Sequence, residues 1–246
     1  MLGLVDSFLE SAMQLLLQLY LAITSSLPLT FSRVSSLCAS LLATSLTHSA
    51  FYRVNRKANK TRKTVPYFSS FCYFLARISE LTPRYLLLSL TCSQFLPWCL
   101  IAVPFHIGFV FLLYYYFKPN LKGICPNMKN MACMSRCDFL NKLFILMMSY
   151  IGLFSFINLV EGKSKKPAAI FYFVFYFENL LMTSIILWYS VSNKAVTWWT
   201  YTLWSVPIGI VCHVVFLSVF YECLHPNKRA ESSVFQNEER TRISEY

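Results

Sequence analysis

Residues 4–20, LVDSFLESAMQLLLQLY, carry acid or amide side chains at four-residue spacing in an otherwise apolar stretch. We call these four residues the polar ladder: Asp6, Glu10, Gln14 and Gln18. Four-residue steps place neighbours on one side of a helix, and the apolar stretch, roughly 2–23, is long enough to span a bilayer. A carboxylate at the bilayer centre costs about 2.5–3.5 kcal/mol. We therefore expect the ladder to face protein, water or polar groups that pass through the membrane.

The composition is that of an integral membrane protein. Of 246 residues, 56% are hydrophobic and 13% are charged, and the mean hydropathy is +0.49. Soluble domains average about 45–50% apolar and about 25% charged residues. The net charge of +11 comes from basic residues in short loops between apolar segments, which is typical of cytosolic loops and not of a nucleic-acid partner.

Seven apolar segments predict an all-α membrane protein with about six transmembrane helices and one re-entrant or half-embedded helix. We expect Pro83 to interrupt the third segment, Pro97 to close it, and Pro104 and Pro207 to kink the fourth and seventh. The segments form a membrane domain, 1–224, followed by a polar tail, 225–246, that we expect to be disordered. The segments are 2–23, 31–52, 67–97, 99–117, 139–160, 167–191 and 196–224.

The basic loops predict an orientation. If residues 53–65 are cytosolic, all basic clusters and the tail share that side only when the fifth segment, 139–160, turns back within the membrane. Asn158 and the polar end at Glu161 and Gly162 suit such a turn. The glycosylation sequon at Asn59 would then be cytosolic and unmodified.

Charged residues also fall inside the third and sixth segments. Arg77, Glu80 and Arg84 lie on one helix face, where Glu80 can bridge both guanidiniums. One interpretation is an internal salt bridge that lets a charged helix insert. Another is that the spare positive charge pairs with Asp6 or Glu10, or with a lipid phosphate.

Glu178 lies near the middle of the sixth segment and has no partner on its own helix. Such a carboxylate must find a partner across the helix bundle, and Arg77 and Arg84 are the candidates. His213 is best interpreted as a satisfied core histidine.

Enzymatic motifs are missing from the sequence. With six glycines, it has no phosphate-binding or dinucleotide-binding loop, and it has no H-E-x-x-H or G-x-S-x-G motif. We therefore expect neither catalysis nor a cofactor. Cysteines within the apolar segments are typical of small buried side chains. Cys125, Cys133 and Cys137 share one basic loop without histidines, which favours reduced or lipidated thiols over a metal site.

Five stretches together resemble the XK-related membrane protein family, in the order of the family. They cover nearly the whole chain apart from the tail. They are LVDSFLESAMQLLLQLY (4–20), RISELTPRYLLLSL (77–90), FSFINLVEGKSK (154–165), FYFENLLMTSIILWY (175–189) and VFYECLHPNK (219–228).

The resemblance implies a fold of eight spans and two membrane-embedded half-helices, in which this chain would begin at the third span. It implies phospholipid scrambling, which exposes phosphatidylserine at the plasma membrane of dying cells for engulfment. Asp6 and Glu10 would meet headgroup amines, and Arg77 or Arg84 would meet phosphates. The implied headgroup path is Asp6, Glu10, Gln14, Arg77, Glu80, Arg84 and Glu178.

The tail differs from that of family members that caspases activate, because no Asp occurs from residue 225 onward. We expect constitutive activity, or control by phosphorylation or by a partner. The partners implied are membrane phospholipids and an accessory single-span membrane protein or a lipid-transfer protein. A non-transporting adaptor for a lipid-transfer or surface protein is the alternative function, and a small-solute transporter is disfavoured.

Overall fold

The computed structural model describes residues 6, 8–25, 30–58, 66–117, 131–157, 165–193 and 197–224. Within these ranges the protein is helical and contains no strand, and it is an all-α membrane protein as predicted. The π-helical turn Phe8–Ala12 precedes the first α-helix, and a second, Phe220–Leu224, follows the last. The α-helices are α1 (Met13–Thr24), α2 (Phe31–Ala58), α3 (Tyr67–Gln94), α4 (Leu96–Phe117), α5 (Met131–Gly152), α6 (Lys165–Asn193) and α7 (Thr197–Val219).

Among the residues that the structure describes, three stretches are long and apolar enough to cross a membrane: Leu96–Phe117, Lys166–Tyr189 and Trp204–Glu222. Helices α2 and α3 have 28 residues each and are thus about 42 Å long, but they carry more polar and charged side chains. Two shorter apolar helices, Phe8–Thr24 and Phe139–Gly152, complete the set.

Helix α3 is the central helix of the bundle. Helices α1, α2, α4, α6 and α7 all pack against it. Because protein surrounds it, its charged side chains can be buried among polar partners instead of facing hydrocarbon. This position explains how α3 can carry Arg77, Glu80 and Arg84 within the membrane domain.

The prediction that Pro83 interrupts the third segment is wrong, because α3 runs continuously through it. Proline cannot donate to the carbonyl four residues earlier, here that of Ser79. Helix α7 packs closely at this point: a Cβ on Gly209 would lie 2.7 Å from Pro83 Cγ and 2.9 Å from the Ser79 oxygen. Pro97 does not close α3 either, since it falls in the first turn of α4, where a missing N–H is harmless.

We expect Gly209→Ala to lower the free energy of unfolding by about 1–3 kcal/mol, because the added methyl group overlaps Pro83 and a backbone oxygen. Gly108→Ala is the matched control, since a Cβ there meets nothing within 4 Å. Alanine should instead favour that helix by about 0.5–1 kcal/mol. Thermal unfolding of the purified variants measures both effects, and equal midpoints would contradict the close contact between α3 and α7.

Helix α5 ends inside the bundle. After Gly152 the chain leaves the helix, and residues 153–157, which we call the embedded turn, are all buried. The apolar part of α5, Phe139–Gly152, is too short to span a bilayer. Both observations agree with the predicted half-embedded fifth segment.

Several predictions fall on residues outside the described ranges. These include the features near Asn158 and Glu161, the sequon at Asn59, and the thiol of Cys125. The loop 118–130 and the tail 225–246 are also outside, so the predicted orientation and tail disorder stay predictions.

Candidate functional site

The polar residues predicted to act together lie in two separate places. Arg77, Glu80 and Arg84 are at most 2% exposed. Asp6, Glu10 and Gln14 are exposed on the outside of the bundle. The two groups therefore have different surroundings.

Arg77 is held by partners on three elements. Its guanidinium forms a salt bridge with Glu80, one helical turn away on α3. It also donates to Ser155 Oγ at 3.0 Å and lies 3.1 Å from the Tyr172 hydroxyl, to which it donates as well. The guanidinium carbon sits 4.5 Å from the centre of the Tyr73 ring.

Glu80 binds the embedded turn as well as Arg77. Ser155 Oγ donates to its Oε2 at 2.9 Å, and the backbone N–H of Phe156 donates to its Oε1 at 3.3 Å. His213 Nε2 lies 3.9 Å from the same carboxylate. The sequence predicted that Glu80 can bridge the guanidiniums of both Arg77 and Arg84. Of these two arginines, Arg77 alone lies at salt-bridge distance from Glu80.

Arg84 distributes its donors over three acceptors. Its Nε donates to the Leu153 carbonyl at 2.9 Å, one Nη to Asn179 Oδ1 at 2.8 Å, and the other to Glu178 Oε2 at 2.9 Å. The pairing of Glu178 with an α3 arginine is thus confirmed. The suggestion that the spare charge of α3 pairs with Asp6 or Glu10 is wrong, because Glu178 neutralises it.

Two residues of α4 complete this network. His106 Nδ1 lies 2.7 Å from Glu178 Oε2, and its Nε2 lies 3.2 Å from the Gly152 carbonyl. The hydroxyl of Tyr114 donates to the carbonyl of Ile157 at 2.8 Å. The sequence interpretation missed both residues, because no motif marks the contacts of His106 with Glu178 and Gly152 or that of Tyr114 with Ile157.

The interior charges thus satisfy the backbone where α5 stops being a helix. Non-helical backbone at membrane depth is tolerated only where protein or water provides hydrogen-bond partners. Here the partners come from α3 and α4. We conclude that these residues hold the embedded turn in place, a role that the sequence did not suggest. We call them the interior cluster: Arg77, Glu80, Arg84, His106, Tyr114, Glu178 and Asn179.

The polar ladder faces away from the core of the bundle. Its opposite side packs into the core through Phe8, Ala12, Leu15 and Leu19. Because this apolar face is buried, the four-residue spacing turns the polar side chains outward. The π-helical turn Phe8–Ala12 contains Glu10. Turns of this kind are frequent at functional sites.

The last residue of the ladder, Gln18, lines a groove between α1 and α2. Gln18 Nε2 donates to Ser36 Oγ at 3.1 Å, and the hydroxyl can donate back to Gln18 Oε1 at 3.3 Å. The groove has a volume of about 380 Å³, and Ser25, Ser32 and Arg33 contribute to its lining. Amide, hydroxyl and guanidinium groups thus lie in this groove beside the apolar side chains of Leu21, Ala22 and Leu37.

The sequence model of the XK-related protein family matches residues 1–226. This match covers most of the chain. The chain belongs to the XK-related family. The interior cluster and the polar ladder both lie within the matched residues, so the resemblance predicted from the five sequence stretches is confirmed.

One relative within this family is XK-related protein 8 from Pan troglodytes. It is 28% identical over 244 residues, which cover 92% of this chain and 54% of the relative. The chain therefore spans about half the length of that XK-related protein.

Proposed function

We propose that this XK-related protein moves phospholipid headgroups, including that of phosphatidylserine, between leaflets down their gradient. Members of the family are known as scramblase-like proteins. The observation that carries the proposal is the exposed polar ladder on a helix of a membrane protein. Carboxylates at such a position are costly unless polar groups reach them.

The surface beside the ladder suits a lipid that has both polar and apolar parts. A strip of exposed apolar side chains runs along the same helix at the same four-residue spacing. It consists of Leu9, Met13, Leu17 and Leu21, each 45–58% exposed. Acyl chains can follow this strip in the bilayer while the headgroup follows the ladder.

The chemistry of the ladder matches a zwitterionic or aminophospholipid headgroup. Asp6 and Glu10 replace water around the headgroup amine through charge-assisted hydrogen bonds. The amides of Gln14 and Gln18, and the guanidinium of Arg33 in the groove, offer donors for the phosphate. The ladder thus compensates both charges of a headgroup that has lost its hydration.

The buried arginines take a different role in this proposal from the one that the sequence suggested. Arg77 and Arg84 are enclosed and bonded to carboxylates, so they hold the fold and leave the phosphate to other donors. Glu178, with 24% of its side chain exposed, stays within reach of a headgroup.

The proposal also places the protein in the plasma membrane, with its basic loops and tail in the cytosol. Apoptotic exposure of phosphatidylserine and partnership with a single-span or lipid-transfer protein belong to the same proposal. No reaction chemistry is involved, because a lipid that changes leaflet is not altered.

Reconstitution into liposomes tests the function. Vesicles contain a trace of nitrobenzoxadiazole-labelled phosphatidylserine, and dithionite is added outside. With the protein present, bleaching should pass well beyond the outer-leaflet half, whereas protein-free vesicles should stop there. Bleaching that stops at half with correctly folded protein would overturn scrambling and favour the adaptor function.

A further inference from the structure

The π-helical turn Phe8–Ala12 lies within the polar ladder, after Asp6 and before Gln14. Asp6 is itself helical, and α1 continues the helix directly after the turn. Backbone hydrogen bonds in a π turn join residues i and i+5 instead of i and i+4, so the turn holds one additional residue. The turn therefore shifts the register of Asp6 relative to Gln14 and Gln18.

This register shift changes the angles at which the ladder residues stand around the helix axis. In a regular α-helix of about 3.6 residues per turn, each four-residue step drifts by about 40°, so the three steps from Asp6 to Gln18 would spread over about 120°. One additional residue takes up about 100° of that drift. Asp6 and Gln18 then stand about 20° apart, and the polar groups form a strip nearly parallel to the helix axis.

The burial pattern of the helix agrees with this alignment. Phe8, at the start of the turn, and Leu19, near the end of α1, are both at most 8% exposed. Asp6 and Gln14, on either side of the turn, are both exposed. One side of the helix is thus buried and the other polar along its whole length, which suits a headgroup that travels along the axis.

Tyr150 holds the π turn from α5. Its hydroxyl donates to the carbonyl of Phe8, the first residue of the turn, at 3.3 Å. The Phe8 ring lies 6.2 Å from that of Phe154 in the embedded turn, and the Tyr150 ring meets Phe154 edge-on at 5.8 Å. Phe8 and Phe154 are both fully buried. The end of α5 and the embedded turn thus pack directly on the turn that contains Glu10.

We propose that the π turn keeps the polar ladder straight and that Tyr150 is its positioning residue. This inference rests on the proposed function, because a straight strip matters only if a headgroup moves along it. Without the Tyr150 hydroxyl, the Phe8 carbonyl loses a donor that favours the π turn over a regular α-helical turn. Asp6 then rotates by about 100° relative to Gln14, away from the path of the headgroup.

Amide hydrogen exchange on the purified full-length protein tests the role of Tyr150 without any lipid movement. In Tyr150→Phe, which removes only the hydroxyl, the amides of Phe8–Ala12 should exchange about fivefold faster, the factor for the roughly 1 kcal/mol of one hydrogen bond. Tyr115→Phe is the matched control, since Tyr115 is 48% exposed on α4. Equal exchange of the turn in the two variants would overturn the role of Tyr150.

Deletion of Ser11 separates alignment from stability. Removing one residue from the π turn should convert it to an α-helical turn. Asp6 keeps its angle relative to Gln14, because the two are then about seven residues, or nearly two whole turns, apart. We expect dithionite bleaching to slow several-fold in Tyr150→Phe and to recover when Ser11 is also deleted. A variant that was merely destabilised would not be rescued by a further deletion.

Two results would contradict alignment as the cause. One is bleaching by Tyr150→Phe at the wild-type rate, and the other is a folded double variant that stays as slow as Tyr150→Phe. Should the double variant not accumulate as folded protein, the exchange of the π turn and the rate of Tyr150→Phe decide the matter. If the wild-type protein itself does not scramble, the proposed function fails, whereas the exchange measurement still decides whether Tyr150 holds the turn.

Discussion

Arg84→Met is expected to lower the free energy of unfolding by about 3–5 kcal/mol, the cost of breaking a buried ion pair by removing one partner. The guanidinium is 1% exposed and donates to Leu153, Asn179 and Glu178. Methionine fills much of the same space but donates to none of them. The carboxylate of Glu178 and a carbonyl of the embedded turn both lose a donor.

A double variant that also removes Glu178, the salt-bridge partner of Arg84, tests the same ion pair. We expect Arg84→Met/Glu178→Met to be less destabilised than the sum of the single variants by about 1–3 kcal/mol, because the double variant leaves no unpaired charge. Arg53→Met is the control: Arg53 is exposed on α2, and surface substitutions usually change stability by less than about 0.5 kcal/mol.

Thermal unfolding in detergent measures these differences. If Arg84→Met fails to accumulate as folded protein, fluorescence-detected gel filtration of cell extracts supplies the same ranking, with the double variant recovering part of the folded peak. An unchanged unfolding midpoint in Arg84→Met would contradict a supporting role for the interior cluster.

The sequence was informative wherever a local rule and the bundle agreed. Apolar segments predicted the helices, and the rule that a lone membrane carboxylate needs a partner predicted the pairing of Glu178 with an arginine of α3. The placement of the basic loops on one side indicated that the fifth segment turns back within the membrane. These predictions depend on how side chains behave in hydrocarbon, so they need no knowledge of tertiary contacts.

The failures have a physical cause too. Pro83 breaks a helix by a local rule, but α3 is supported on all sides and accommodates it. Tyr114 carries no sequence signal, because its partner is the backbone of Ile157 in the embedded turn, and Ser155 carries none because its partners, Arg77 and Glu80, are distant in the sequence. The spacing of the ladder predicted that its residues share a side, but only the burial of Phe8 and Leu15 shows that this side faces outward.

The membrane domain therefore contains two separate sets of polar residues. The interior cluster holds the embedded turn, and we propose that the exposed ladder contacts the headgroup. Substitutions in the first set should change stability, and substitutions in the second should change lipid movement at constant stability. Asp6 and Glu10 are the residues at which this separation has its largest expected effect.

We expect Asp6→Leu/Glu10→Leu to abolish scrambling while the protein still inserts and folds. Leucine is compatible with lipid, and the replaced side chains are exposed, so the thermal unfolding midpoint should not fall. The headgroup amine, however, loses the carboxylates that replace its water. The control Leu9→Ala/Leu17→Ala trims exposed apolar side chains of the same helix and leaves the carboxylates, so it should still scramble.

The dithionite assay on these two double variants, matched for folded protein per vesicle, is the most direct test of the account. If the ladder carries the headgroup, bleaching should stop at the outer-leaflet half for Asp6→Leu/Glu10→Leu. It should pass well beyond that half for Leu9→Ala/Leu17→Ala. Scrambling by the first variant at the wild-type rate would contradict the account, because lipid headgroups would then cross without the ladder.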